Sequence, residues 1–211
     1  KTFTDKFIKQ YLNRNNKLPC KLVIKSKFEI SNLKVAYINS AIDYKSYKFH
    51  SSENLIQEYI NGYGIGFFAI YENGTLKNFF MHKRIREFPS TGGSSLFAQS
   101  IFEKEVFEFG KLILDELKWH GVAMVEFKKD ILTNKLYLME INPKFWGSHD
   151  LAISSGINFA KEYMLISNNK FSNNFKKFKI LPYKIGVKFQ WPARDIISNI
   201  FRPIILFESL F

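Results

Sequence analysis

Short apolar runs dominate the first third of the chain. Leu22-Val23-Ile24 follows Pro19 and ends at Lys25, the pattern of a buried strand. Val35-Ala36-Tyr37-Ile38 and Leu55-Ile56-Gln57-Glu58-Tyr59-Ile60 predict two more strands, the last stopped by Asn61-Gly62. Residues 66–71 and 76–86 flank Glu72-Asn73-Gly74-Thr75, and Asn-Gly between apolar runs signals a two-residue hairpin. Residues 89–95 read as a loop from their Pro, Ser, Thr and Gly content. The period then changes: Val106, Phe109, Ile113 and Leu117 recur at helical spacing. Ser100 and Glu103 form a capping-box pattern ahead of that helix, and Gly121 is its expected stop. Residues 122–127 and 136–141 predict a further strand pair around an eight-residue turn region, and residues 159–167 a second helix. The mixture is α+β, an antiparallel sheet with helices on one side.

The candidate chemistry lies on the later strand pair. If its hairpin is centred near Thr133, positions whose numbers total 266 pair, which sets Glu126 directly opposite Glu140. Asn142, two residues on, shares their face. Like charges placed opposite each other are destabilising unless neutralised, and a hard divalent cation such as Mg²⁺ does this while leaving sites for water and phosphate. Val125, Phe127, Met139 and Ile141 would then face the core. The alternative is another register, with both glutamates ordinary solvent-facing residues. In Met81-His82-Lys83-Arg84-Ile85-Arg86-Glu87, alternation puts His82, Arg84 and Arg86 on one side. Arginine forks suit phosphate or carboxylate oxygens; a water-exposed basic strand partnered by Glu87 is the alternative. The following Ser-Thr-Gly-Gly-Ser-Ser run offers backbone N–H groups for an anion.

Length and charge bound these readings. The 211 residues, 46% hydrophobic and 24% charged, suffice for a packed core in one domain or one domain of two lobes. No run approaches the ~18 apolar residues of a membrane span. The start lacks an initiator Met and an apolar signal core, so neither a secretory precursor nor a native start is expected. One cysteine, Cys20, excludes a disulfide framework and suits a reducing cytoplasm. It reads as a small buried or half-buried residue. The net charge of +12 is concentrated at the two ends, and residues 163–194 contain no acid. Such a surplus points to anionic small molecules first and polyanions second.

Taken in order, Ile56-Gln57-Glu58-Tyr59-Ile60-Asn61-Gly62, then His82 to Glu87 with Gly92-Gly93-Ser94, then Val125-Glu126-Phe127, then Met139-Glu140-Ile141-Asn142-Pro143-Lys144-Phe145-Trp146-Gly147-Ser148, resemble the ATP-grasp superfamily. Within it the chain looks most like carboxylate–amine ligases related to the carbamoyl-phosphate synthase large subunit. The resemblance implies a two-lobed ATP-grasp fold with antiparallel sheets and flanking helices. Residues 1–60 would be a partial small lobe and hinge, 61–167 the large lobe with the metal site, and 168–211 a basic linker and apolar extension. It also implies ATP and Mg²⁺ as cofactors, with Mn²⁺ as an alternative ion. Gln57, Glu58, Tyr59 and Ile60 would form the hinge and meet adenine, and Lys25 would reach the phosphates. Glu126, Glu140 and Asn142 would hold Mg²⁺. Arg84 and Arg86 would orient the γ-phosphate or the acceptor carboxylate, and Lys144, where the family usually has arginine, would face the transferred phosphoryl group.

The implied partners are a small-molecule carboxylate and an amine, not nucleic acid. Four features depart from the family pattern: Ser26 to Asn32 has no glycine, the acid that often follows the hinge is missing, Lys144 stands in place of arginine, and the domain that usually precedes the lobes is not expected in this chain. The chain reads as an incomplete part of a longer enzyme or a reduced member. A nucleotide-binding remnant without turnover and a basic anion- or nucleic-acid-binding module are therefore the competing expectations. Phe145-Trp146 reads as core before pocket lining, His149 and Asp150 as surface loop, and the apolar tail 195–211 as a segment that docks on the chain or a partner.

Overall fold

Asn73 and Gly74 adopt φ of 48° and 78°, the double left-handed step of a type I′ turn, so the Asn-Gly signal closes the hairpin it predicts. The computed structural model describes residues 1–27, 35–50, 52–88, 94–168, 183–192 and 195–196. The chain divides into two compact units, Lys1–Ile60 and Asn61–Phe211. Among the described residues no helix is long and apolar enough to cross a membrane.

The first unit holds β1 (Thr2–Phe3), α1 (Asp5–Asn15), β2 (Leu22–Ser26), β3 (Ala36–Ile38), α2 (Ala41–Ser46) and β4 (Asn54–Glu58), with an antiparallel sheet ordered β1-β4-β2-β3. Both helices escape the pattern reading. In α1 only Ile8 and Leu12, one turn apart, are buried; Thr4 accepts from the Phe7 N–H and Asn16 ends the helix at φ 50°. In α2, six residues long, Ser40 and Asp43 form a full capping box. Six residues are too few to show a period in α2, whereas Phe7, Ile8, Tyr11 and Leu12 of α1 carry a helical spacing that sequence reasoning missed.

The second unit holds β5 (Gly62–Glu72), β6 (Thr75–Phe88), β7 (Ser94–Ser100), α3 (Lys104–Glu116), β8 (Gly121–Asp130), β9 (Leu136–Asn142), α4 (His149–Ser155), α5 (Phe159–Ser167) and β10 (Lys188–Gln190). Its antiparallel sheet runs β10-β7-β6-β5-β8-β9. Helices cover both faces, not one. Phe67 packs on Phe107 of α3, while its neighbour Phe68, on the opposite face, meets Trp146, which in turn packs on Phe159 of α5. Every residue from Gly64 to Tyr71 is therefore buried and β5 shows no alternation.

Several expectations change here. The capping box at Ser100 does not form: Ser100 ends β7, donates to the Lys184 carbonyl and accepts from the Val187 N–H. Helix α3 starts after Glu103, which makes no side-chain cap bond. It buries Val106, Gly110 and Leu114, leaving Phe109 45% exposed and Leu117 in solvent. Gly121 opens β8 at φ 89°, and Lys118 makes the left-handed step after the helix. His149 and Asp150 begin α4 and do not lie in a loop. Residues 89–93, most of the linker and the tail beyond Ile196 lie outside the described residues.

Gly110 is where the α3 backbone rests on the sheet. A Cβ there would lie 2.5 Å from Cγ and Cδ1 of Phe67, which is fully buried against Phe79 and Phe107. Gly110→Ala is expected to destabilise the protein by about 1–3 kcal/mol through overpacking. A lowered urea midpoint at constant slope checks it.

Candidate active site

Five residues form one row across the second sheet. Gly66 pairs with His82 on one side and Glu126 on the other; Ser100 lies beyond His82 and Glu140 beyond Glu126. Paired residues project to the same face, so the two carboxylates converge in the register that a centre near Thr133 requires. The strands depart from it only past Glu126, where a bulge leaves Phe127 opposite Leu138. The extra residue, Met139, is 36% exposed instead of facing the core, whereas Val125 and Phe127 are buried as expected.

Asn142 is buried and its amide nitrogen donates to Glu140 Oε1 at 2.8 Å. That bond turns the amide oxygen away from Glu140. Two carboxylates and an amide oxygen form a hard donor set that fits Mg²⁺. Among the described residues no group of three or more His, Cys, Asp or Glu gathers, so the amide and a ligand's own oxygens would complete the coordination.

Arg84 reaches this face from β6. Its Nη2 donates to Glu126 Oε2 at 2.6 Å and its Nη1 lies 3.5 Å from Glu87 Oε1. Arg84 and Glu126 are each only 15% exposed. Burial pushes the Glu126 carboxyl up from its usual value, with Arg84 pulling it back and Glu140 adding to the rise. Burial disfavours charge on Arg84 too, but Glu126 and Glu87 outweigh this and raise it. Lys128, two residues after Glu126 and paired with Gly64, borders the same cluster; burial lowers its pKa while Glu87 and Glu126 act against that. The period of two along β8 would have pointed to Lys128, but sequence reasoning missed it.

Arg86 does not join the row. A bulge at Ile85 breaks the alternation, so Ala98 faces Arg84 and its neighbour Phe97 faces Arg86. The Arg86 guanidinium lies 4.8 Å from the Phe97 ring centroid and makes two bonds to Asp195, at 2.5 and 3.3 Å. Asp195 is 1% exposed and also accepts from Gln190. The cationic row expected of His82, Arg84 and Arg86 is thus split. No sequence signal links Arg86 to a carboxylate more than a hundred positions away.

His82 is buried, stacked 4.6 Å from the Phe68 ring, and shares a 2.7 Å hydrogen bond between Nε2 and Ser148 Oγ. Burial, helped by the Arg84 charge, holds its pKa down to about 3, so it is a neutral strut and not a cation. The strut ties β6 to the segment after Asn142. In that segment Lys144 is exposed, Phe145 is 43% exposed and Trp146 belongs to the core.

The remaining candidates belong to the first unit. Lys25 is half-buried on β2 opposite Leu55. Gln57 donates to Thr2 Oγ1 at 3.3 Å, the Glu58 N–H to the Lys1 carbonyl and the Tyr59 N–H to the Lys21 carbonyl. Tyr59 meets Tyr37 edge-on, and Ile60 is buried. Cys20 is half-buried, with burial and the Glu58 charge raising its thiol pKa.

No protein-family model matches the sequence, and no curated protein does. Solved structures do. The ADP complex of an N5-carboxyaminoimidazole ribonucleotide synthetase matches at a TM-score of 0.63 and 12% identity, over 77% of this chain and 44% of that one. The Staphylococcus aureus N5-carboxyaminoimidazole synthetase with ADP gives 0.59 and 15%, over 79% and 45%. The biotin carboxylase domain of Hydrogenobacter thermophilus 2-oxoglutarate carboxylase, with MgADP, ADP and bicarbonate, gives 0.58 and 14%, over 78% and 39%. The chain spans less than half the length of each, and the likeness is one of fold.

Proposed function

We propose that this chain, which has the ATP-grasp fold, carries the nucleotide-binding lobes of an ATP-dependent ligase. In this reading a substrate carboxylate is activated as an acyl phosphate and joined to an amine or similar nucleophile. The observation that carries it is the cross-strand pair Glu126–Glu140 with Asn142 beside it and Arg84 laid onto Glu126.

The chemistry needs positioning and charge neutralisation more than a protein nucleophile. A carboxylate oxygen attacks the γ-phosphorus, the bond to the bridging oxygen breaks, and ADP leaves with the electron pair. The amine nitrogen then attacks the acyl carbon, the carbon–oxygen bond to phosphate breaks, and the nitrogen loses a proton. Glu126, Glu140 and Asn142 would hold Mg²⁺, which when bound supplies charge neutralisation at the phosphate oxygens. Arg84 and Lys144 would offer donors to the transferred phosphoryl group, where negative charge is spread over its oxygens. Lys25 would contact the phosphates, and the Gln57 to Ile60 backbone the adenine. Arg86 would act on a ligand only by leaving Asp195. An ATP supply and an unpaired Cys20 suit a cytoplasmic setting.

The test is ADP release from ATP with Mg²⁺, measured over a panel of carboxylates, each with and without amines. The expected result is release that rises at least tenfold for one carboxylate class and stops with chelator. ATP binding without any carboxylate-stimulated release would instead support the remnant reading, for which the glycine-free stretch after Lys25 argues. Absence of Mg²⁺-dependent ATP binding overturns both.

A further inference from the structure

Arg84 and Glu126 are not on neighbouring strands. Strand β5 lies between β6 and β8, so the guanidinium crosses two strand spacings, roughly 10 Å, to reach the carboxylate. The crossing is possible because β5 presents Gly64 and Gly66 on this face. A Cβ on Gly64 would lie 3.1 Å from Arg84 Cδ and 2.9 Å from Glu87 Oε1. Gly66, directly between His82 and Glu126, has the Phe68 ring over it and no room for a side chain. Glycine is a poor strand residue, so two of them in the central strand mark a close approach: here, the passage of an arginine side chain.

The end of that passage is asymmetric. Of the two carboxylates that face each other, Glu126 is largely covered and has the Arg84 guanidinium on it, whereas Glu140 is exposed and, among the described residues, accepts only from the Asn142 amide. A buried carboxylate without a counter-ion is costly, and the fold supplies one internally. Glu87, at 3.5 Å from Nη1, gives the guanidinium a second acceptor on the same face.

We infer that Arg84 is the resident counter-ion of Glu126: it occupies this carboxylate while no divalent ion is bound and is displaced toward Glu87 when one binds. The inference rests on the metal site proposed above. An arginine and a divalent cation cannot share one carboxylate without repulsion, so binding of either weakens the other by the same factor. The role of Gly64 is to keep the crossing open, which makes it a positioning residue.

Mn²⁺ alone, followed by electron paramagnetic resonance without nucleotide, tests this. Arg84→Met is expected to bind Mn²⁺ about 5-fold or more tighter than the wild type, the lower range of ordinary coupling between sites. Gly64→Ala keeps the arginine but obstructs its crossing and is expected to shift affinity in the same direction. Weaker or unchanged affinity in variants with wild-type circular dichroism overturns the counter-ion. Wild-type protein gives a reading that needs no arginine variant: the Arg84 Nε–H resonance is expected to move on Mg²⁺ titration, and its staying fixed overturns the displacement. Glu126→Gln and Glu140→Gln run in parallel. If both bind Mn²⁺ like the wild type, the metal site and the inference fall together. If both weaken while Arg84→Met is unchanged, only the counter-ion falls.

Discussion

Glu140→Gln is expected to lower Mg²⁺-dependent ATP affinity about a hundredfold, and Asn142→Ala about tenfold, the scale on which metal sites respond even to changes around their ligands. Glu140 is exposed and makes no ion pair within 4.0 Å among those described, so the substitution touches the fold little. Gln keeps an oxygen that can accept from the Asn142 amide, whose bond to Glu140 is 2.8 Å; only the charge is lost. Asn142 is buried, and its removal takes away both an oxygen donor and the group that orients Glu140. Calorimetric titration with ATP in Mg²⁺ and again in chelator separates the effects: both losses should appear only with the metal. Equal affinity for the two variants and the wild type would end the metal assignment.

The second large effect is on stability against pH. His82 has a folded-state pKa of about 3 because it is buried and beside Arg84, while its unfolded value is near 6.5. Between those values the unfolded chain binds the proton and the folded one does not. Stability from this group is thus complete above pH 6.5 and is lost as pH falls, by about 1.4 kcal/mol per unit. The His149 pKa is also lowered by burial, which adds a slope of the same sign. Urea unfolding between pH 6.5 and 5 reads this slope, against which Glu126 and Glu162, whose carboxyls burial raises, act with the opposite sign. His82→Gln, which can still bond Ser148, should remove most of the slope. A variant that keeps the wild-type slope would show that His82 is protonated in the folded protein.

Local chemistry was legible in the sequence, and contacts between distant segments were not. Asn73-Gly74 names its turn because only residues tolerant of positive φ close a two-residue hairpin. Glu126 and Glu140 could be set opposite each other because a hairpin register follows from its centre and a period of two. By contrast, Ser100 carries a helix-cap signature yet ends a strand, since its hydroxyl is taken by residues 184 and 187. The rhythm Val106, Phe109, Ile113, Leu117 is helical, but the buried stripe is Val106, Gly110, Leu114, because the sheet under α3 selects the face that fits Phe67. Alternation in β6 predicts one cationic row; the bulge at Ile85 divides it and delivers Arg86 to Asp195. A bulge has no sequence signature of its own.

The charge of +12 follows the same division. The sequence by itself determined the residue types, the hairpin register and the hard oxygen donors, all consequences of neighbours along one strand pair. Only the tertiary structure decided which cations meet those donors. Arg84 reaches Glu126 because β5 lies between their strands and is glycine where the side chain passes, and strand order is fixed by packing on both faces of the sheet rather than by any local pattern.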